Sequence, residues 1–315
     1  MDAAPEFDVV VRRRTDPVDR VAVVELARAD GLPFPAWRPG AHVDLLASDD
    51  LVRQYSLCGD PADDGAWRIA VLREEAGRGG SAWAHEHLVD GAVVRARGPW
   101  NHFAMTDATA YRFIAGGIGI TPLLPMIAAA EASGTPWRLD YCGRSASGLA
   151  FLDELAGFGE RVRVHASDAG TRMDLATVAP GPGELVFACG PHGLLDELDA
   201  RAVAWAPGTL HVERFEAREQ GEPVLHESFE VELAASGVTV TVPPERSILD
   251  VVEEETDAFV ISSCREGTCG TCETPVLEGE VDHRDSILTP EEQRANDRMM
   301  ICCSRSACPK LVLDL

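Results

Sequence analysis

Tyr111-Arg112-Phe113-Ile114-Ala115-Gly116-Gly117-Ile118-Gly119-Ile120-Thr121-Pro122 decides the fold: an apolar run ends in a glycine-rich turn, and the alanine-rich stretch from Leu123 to Ala132 follows as a helix. The pattern returns downstream. Trp137 to Cys142 reads as a second strand and Leu185-Val186-Phe187-Ala188-Cys189-Gly190-Pro191 as a third, each with helical material after it. Strands alternating with helices imply a parallel sheet with crossover connections. In that context the glycine turn suits the pyrophosphate of a dinucleotide, because backbone N–H groups at a helix N-terminus attract phosphate. Gly117 and Thr121 are the candidate binding residues of the turn. A small residue at Cys189, followed by Gly190, leaves room for a nicotinamide ring; taken alone, Cys189 reads equally well as a buried core cysteine. Arg144 and Ser145 lie just past the second strand, where an adenosine ribose is expected. An arginine there serves a 2′-phosphate, whereas Asp168 is the acidic candidate for an unmodified ribose.

Toward the N-terminus, up to about Thr106, short β-like runs are broken by Pro and Gly. They include Val21 to Leu26, His42 to Leu46 and Trp67 to Leu72. Short strands with turns at this spacing suggest an antiparallel barrel. Arg53-Gln54-Tyr55-Ser56 ends one such strand. An arginine can hold a phosphate by two N–H bonds and a tyrosine can lie against a flat ring, although R-x-Y-S alone also fits a surface strand. Gly77-Arg78-Gly79-Gly80-Ser81 then precedes a helix expected over Ala82 to Leu88. Glycine-rich backbone at a helix start is a phosphate cradle; alone it could be a flexible turn. The two motifs, in this order on a barrel, point to a flavin.

Toward the C-terminus a polar linker runs from about Ala217 to Pro223 and carries Glu219, Gly221 and Glu222. Two alternating strands follow, Phe229 to Leu233 and Val238 to Val242, with a Ser236-Gly237 turn between them. Ser247 is placed to cap a helix, with Asp250 three positions on. Next comes Cys264-Arg265-Glu266-Gly267-Thr268-Cys269-Gly270-Thr271-Cys272, a C-x4-C-x2-C run with further cysteines downstream. This is plant-type [2Fe–2S] spacing. Gly267 and Gly270 permit the tight turns that bring backbone N–H groups to the sulfurs. Structural zinc uses paired C-x2-C knuckles, and only one is present here. Cys302, thirty positions after Cys272, is the expected fourth ligand. It follows Met299-Met300-Ile301, a strand or turn entering the core, and on an extended backbone the adjacent Cys303 would point elsewhere. Cys303 and Cys308 are then packing or surface thiols.

The chain has 315 residues, enough for two or three domains, and a formal net charge of −24. Such a surface repels nucleic acid and anionic membrane. No run approaches the length of a membrane helix, and the acidic Met1-Asp2-Ala3-Ala4-Pro5-Glu6 lacks a signal-peptide pattern, so a cytoplasmic protein is expected. Nine cysteines, six of them after position 263, then read as metal ligands or redox groups rather than a disulfide framework. Residues 225–315 carry nineteen acidic and seven basic side chains, a net of −12, which suits docking to a basic patch on another protein.

The order R-x-Y-S, G-R-G-G-S, G-G-I-G-I-T-P, C-G-P, C-x4-C-x2-C resembles the phthalate dioxygenase reductase family across essentially the whole chain. Val281-Asp282-His283-Arg284-Asp285, Cys303-Ser304-Arg305 and the terminal Leu311-Val312-Leu313-Asp314-Leu315 also look like that family. The resemblance implies three domains: an antiparallel β-barrel flavin domain over 1–106, a parallel α/β nucleotide-binding domain over 107–222, and a C-terminal β-grasp ferredoxin domain over 223–315. It implies FMN and NADH, with Arg53, Tyr55 and Ser56 at the flavin ring and phosphate region. The backbones of Ala70 and Leu72 would line the flavin, Gly79, Gly80 and Ser81 would cradle its phosphate, and Phe215 would pack on it. Ser56, Thr121 and Cys189 would lie where flavin and nicotinamide meet. The cluster ligands would be Cys264, Cys269, Cys272 and Cys302. The implied function is reduction of a terminal oxygenase, of Rieske type before cytochrome P450. A redox-sensing iron–sulfur flavoprotein is the other reading.

Overall fold

The computed structural model describes residues 5–48, 51–75, 79–218 and 220–315. Gly77 and Arg78 of the glycine-rich motif, Glu219 of the linker and the residues 1–4 lie outside them. The chain divides into two compact units, Met1–Glu213 and Arg214–Leu315.

The first unit opens with six antiparallel strands: β1 (Glu6–Val18), β2 (Val21–Arg28), β3 (His42–Ser48), β4 (Leu51–Ser56), β5 (Trp67–Leu72) and β6 (Val93–Trp100), with α1 (Gly80–His87) before the last. Their order is β4-β3-β6-β1-β2-β5. The sheet curls so that its two edges meet: the Cys58 N–H, just past β4, donates to the Arg68 carbonyl of β5 at 2.8 Å. Alternation along β1 turns Phe7, Val9 and Val11 inward, against Val24, Leu26 and Trp67. Trp67 stacks on Phe34 with ring centroids 3.8 Å apart. The length of β1 is not legible from its apolar pattern, because the polar Arg12-Arg13-Arg14 interrupts it. The register with β2 slips between Val11 and Arg13, and this irregularity lets the strand run on past the core.

The second sheet contains β7 (Ala110–Gly116), β8 (Trp137–Gly143), β9 (Val162–Ala166), β10 (Glu184–Cys189) and β11 (Leu210–Glu213). The helices α2 (Leu123–Ser133), α3 (Leu152–Leu155) and α4 (His192–Ala202) lie in the connections. All strands are parallel, in the order β11-β10-β7-β8-β9. The chain order therefore reverses between β7 and β10, a topological switch point where ligands of open α/β sheets bind. Barrel and parallel sheet share apolar core: Val21, Cys58 and Ala70 cluster with Phe113, Ile120, Leu123 and Tyr141.

The second unit has a mixed sheet ordered β13-β12-β18-β14-β16, built from β12 (Phe229–Leu233), β13 (Val238–Val242), β14 (Glu273–Glu278), β16 (Arg298–Met300) and β18 (Lys310–Leu313). A small pair, β15 (Val281–Asp282) with β17 (Arg305–Ser306), stands apart. The helix α5 (Ile248–Glu255) buries Ile248, Leu249, Val251 and Val252 in the apolar core of that sheet, in the β-grasp manner, and α6 (Pro290–Ala295) follows β15. The cap on α5 forms as its sequence suggests, with the Asp250 N–H donating to Ser247 Oγ at 3.0 Å. No helix among the described residues is long and apolar enough to cross a membrane.

Candidate functional site

Three groups of sequence-selected residues come together in the first unit. The first is at the start of α1. Gly79, at φ +83°, turns the chain into the helix, and no side chain caps the N–H groups of the first turn. The Arg53 side chain from β4 lies so close to Gly80 that a Cβ there would fall 2.1 Å from Nε. An uncapped helix start beside a guanidinium, with no acidic residue in the first turn, is the donor set a phosphate needs. Ser81 Oγ already accepts the Glu74 N–H at 2.9 Å, leaving its own hydrogen to donate. Tyr55 is half-buried, and burial pushes its hydroxyl up to about 12, so the ring stays neutral. Ala70 is buried and Leu72 packs against the same core as Ile120 and Leu123, which sets β5 beside the glycine turn. These residues fit a flavin with a phosphate tail.

The second group lies at the switch point. The turn after β7 and the Cys189-Gly190-Pro191 corner after β10 press backbone against backbone. A Cβ on Gly119 would fall 2.3 Å from the Cys189 carbonyl oxygen, and one on Gly190 would fall 2.9 Å from Gly116 Cα. The glycines are thus required by close approach, while Gly117 takes a left-handed φ of +56° with open space around it. Thr121 is buried, and its Oγ1 donates to the Ile118 carbonyl at 3.0 Å, so the turn is held by its own last residue. Tyr141 braces it from below, with its hydroxyl 3.1 Å from the Gly117 carbonyl.

The sequence reading missed one residue here. Glu213 ends β11 and pairs in register with Cys189. Ser56 Oγ donates to Glu213 Oε2 across 3.4 Å. Burial pushes the Glu213 carboxyl up to about 8, and the Ser56 hydroxyl only partly offsets that. Burial, reinforced by the Glu213 charge, also pushes the Cys189 thiol up. Ser56 therefore sets a hydroxyl against a carboxyl that burial favours in its protonated form, on the strand next to the buried Cys189. A strand-terminal carboxylate after the apolar Leu210-His211-Val212 was the available signal.

Arg144 and Asp168 are brought together through the backbone: the Asp168 N–H donates to the Arg144 carbonyl at 2.9 Å, and both side chains are exposed. Phe215 falls in the second unit and is 44% exposed.

The cysteine loop of the second unit wraps as its spacing requires. Arg265, Gly267 and Gly270 all take positive φ. The N–H groups of Glu266 and Thr268 reach Cys264 Sγ at 3.4 Å each, and Thr271 reaches Cys269 Sγ with its N–H at 3.4 Å and its hydroxyl at 3.0 Å. The Cys264 thiol interacts with those of Cys269 and Cys302, and Cys302 also with those of Cys272 and Cys303. Among the described residues no three His, Cys, Asp or Glu side chains surround one point as for a single metal ion. A two-iron cluster divides four thiolates two to each iron, and the four cysteines with N–H groups reaching their sulfurs fit that division. The backbone at Cys302 and Cys303 is a turn rather than a strand, with the Cys303 and Ser304 N–H groups both directed at the Met300 carbonyl at 3.2 and 2.9 Å. Alternation therefore does not separate the two sulfurs. Cys303 Sγ lies against Gly267 of the loop, 2.4 Å from where a Cβ would stand.

Comparisons with known proteins agree with this geometry. Residues 231–307 match the family described as a 2Fe-2S iron-sulfur cluster binding domain. The chain is 46% identical over 291 residues to phenoxybenzoate dioxygenase subunit beta of Ectopseudomonas oleovorans, covering 91% of this chain and 89% of that one. The structure of phthalate dioxygenase reductase, a modular structure for electron transfer from pyridine nucleotides to [2Fe–2S], matches at a TM-score of 0.70 and 34% identity over 98% of both chains. An intact type IV self-sufficient cytochrome P450 monooxygenase matches at a TM-score of 0.91 and 43% identity. That match covers 98% of this chain and 41% of the other, so the chain spans about two fifths of the P450's length.

Proposed function

The chain belongs to the phthalate dioxygenase reductase-like family, and we infer that it is an NADH-dependent oxidoreductase that reduces the terminal component of an oxygenase system. The observation that carries this is the presence, in one polypeptide, of a four-cysteine set and a glycine-rich switch-point turn beside an uncapped helix start and Arg53. When bound, FMN and a [2Fe–2S] cluster supply the conversion of a two-electron hydride into single electrons.

The residues of the chain do the positioning. Arg53 and the first turn of α1 bind the flavin phosphate, and Tyr55 packs on the ring. The Gly117–Ile120 turn and Thr121 receive the nucleotide, and Gly190 and the small Cys189 leave space for the nicotinamide. Ser56 and the protonated Glu213 hold a proton close to the reacting atoms. Arg144 and Asp168 border the adenosine ribose. Cys264, Cys269, Cys272 and Cys302 ligate the cluster, with Cys303 supporting the loop. We place the domain limits at 1–106, 107–222 and 223–315, and the protein in the cytoplasm.

The partner we favour is a Rieske-type oxygenase, because a dioxygenase subunit and a phthalate dioxygenase reductase are both more than 30% identical to the chain. The acidic C-terminal domain suits a basic docking patch, so turnover should fall as salt rises. Reconstitution decides the partner. With NADH, the chain should support substrate oxidation by a purified Rieske-type oxygenase and not by a separate P450 component; the reverse result would assign it to P450 chemistry.

A further inference from the structure

The polar linker stretch at the start of the second unit is not a free tether. The Arg218 N–H donates to Ser286 Oγ at 2.9 Å, and the Gln220 side chain donates to the Arg284 carbonyl. Arg284 Nη2 donates to the Gly221 carbonyl at 2.6 Å, and the Val224 N–H donates to Asp282 Oδ2 at 3.0 Å. Asp282 and Arg284 pair with each other at 3.2 Å, each side chain only 13% exposed. The linker backbone itself is largely exposed, so these bonds, not burial, hold its path.

The same short segment is fastened to the cluster loop. The Ser286 N–H donates to the Gly267 carbonyl at 2.8 Å, and Asp285 packs against Gly267. The Arg284 N–H donates to Ser304 Oγ at 3.1 Å, two residues from Cys302. Residues 282–286 therefore grip the linker on one side and the cluster loop on the other.

We propose that Asp282, Arg284 and Ser286 are positioning residues that strap the linker to the cluster-bearing fold and thereby set the rate at which electrons reach the cluster. The proposal rests on the reductase reading. In the step concerned the reduced flavin loses one electron, the oxidised cluster gains it, and no bond forms or breaks; NADH is the reductant. A tether pinned at Arg218, Gln220, Gly221 and Val224 behaves as a short linker. Released, that stretch would span about 15 Å on average and would lower the effective concentration of one redox centre at the other. A loss of positioning alone can cost orders of magnitude in rate.

The test is anaerobic stopped-flow mixing of holoprotein with excess NADH, following flavin and cluster absorbance separately, for Arg284→Met and for the milder Ser286→Ala. The Ser286→Ala chain keeps its backbone bond to Gly267. Flavin bleaching should stay at the wild-type rate. Cluster bleaching should slow on the order of tenfold in Arg284→Met and less in Ser286→Ala. Trypsin should cut faster at Arg218, while the cluster's EPR spectrum stays unchanged. Wild-type cluster bleaching in a chain that trypsin cuts faster would overturn the proposal. So would slowed bleaching with an altered EPR spectrum, which would put the effect in the cluster loop itself. Where Arg284→Met does not accumulate as holoprotein, Asp282→Asn with Ser286→Ala is judged by the same readouts. Failure of NADH to bleach the wild-type flavin would instead defeat the reductase reading.

Discussion

The cysteine loop and the switch-point site are built in opposite ways. From Cys264 to Cys272 three of the four ligands, the glycines that turn the chain and the N–H groups that reach the sulfurs lie within one short segment. The switch-point site is assembled from four distant strand ends. Its contact between Ser56 and Glu213 joins residues 157 apart in sequence. Ligation chemistry can be written locally because the ions organise the loop; a cavity for a mobile nucleotide has to be framed by the fold.

The contrast is broken most severely at Cys302. Cys302→Ser should abolish the cluster, read as lost iron and visible absorbance, whereas Cys303→Ser should retain both, since Cys303 packs on Gly267. Equal retention in the two variants would show that the turn lets either sulfur ligate, and loss of the cluster in Cys303→Ser alone would make Cys303 the ligand.

At the switch-point site the weak point is backbone proximity. Gly119→Ala would force a methyl group into the Cys189 carbonyl, at a cost of about 1–3 kcal/mol of stability. Flavin reduction by NADH should fall on the order of 100-fold while cluster content stays normal, because the second unit is untouched. Thermal melts and stopped-flow reduction check both. At the phosphate cradle, Arg53→Met should weaken flavin retention roughly 10- to 100-fold, the worth of one charge-assisted hydrogen bond, measured by fluorescence titration of the apoprotein.

The smallest effect is pH-linked. The Glu213 carboxyl sits at about 8 in the fold against an ordinary value of 4.5. The folded chain keeps a proton that the unfolded chain releases near pH 4.5. This contribution to stability is complete below that value and is lost as pH rises through 8, by a few kcal/mol at most because the side chain is only half-buried. Glu213→Gln should flatten that decline in urea titrations between pH 5 and pH 9; an unchanged slope would mean that the carboxyl ionises freely.

These same differences explain what the sequence made legible. Each short-range device is visible as spacing: C-x4-C-x2-C, the Ser247–Asp250 cap, the glycine turn after β7. The parallel order and the barrel follow from strand and helix grammar. Glu213 was not visible, because nothing adjacent to it marks its partner; it matters only when β10 and β11 align it with Cys189. The reach of β1 was hidden by an arginine run that the irregularity in its pairing accommodates. The turn at Cys302 was legible only as an alternative to a strand, since Met299-Met300-Ile301 fits either.

The central claim is that one chain carries electrons from NADH to an iron–sulfur centre, and an anaerobic NADH titration of the holoprotein followed by visible absorbance and EPR tests it most directly. The account predicts loss of flavin absorbance together with the appearance of a reduced [2Fe–2S] signal, both without any added protein. A flavin that bleaches while the cluster stays oxidised and EPR-silent would contradict it.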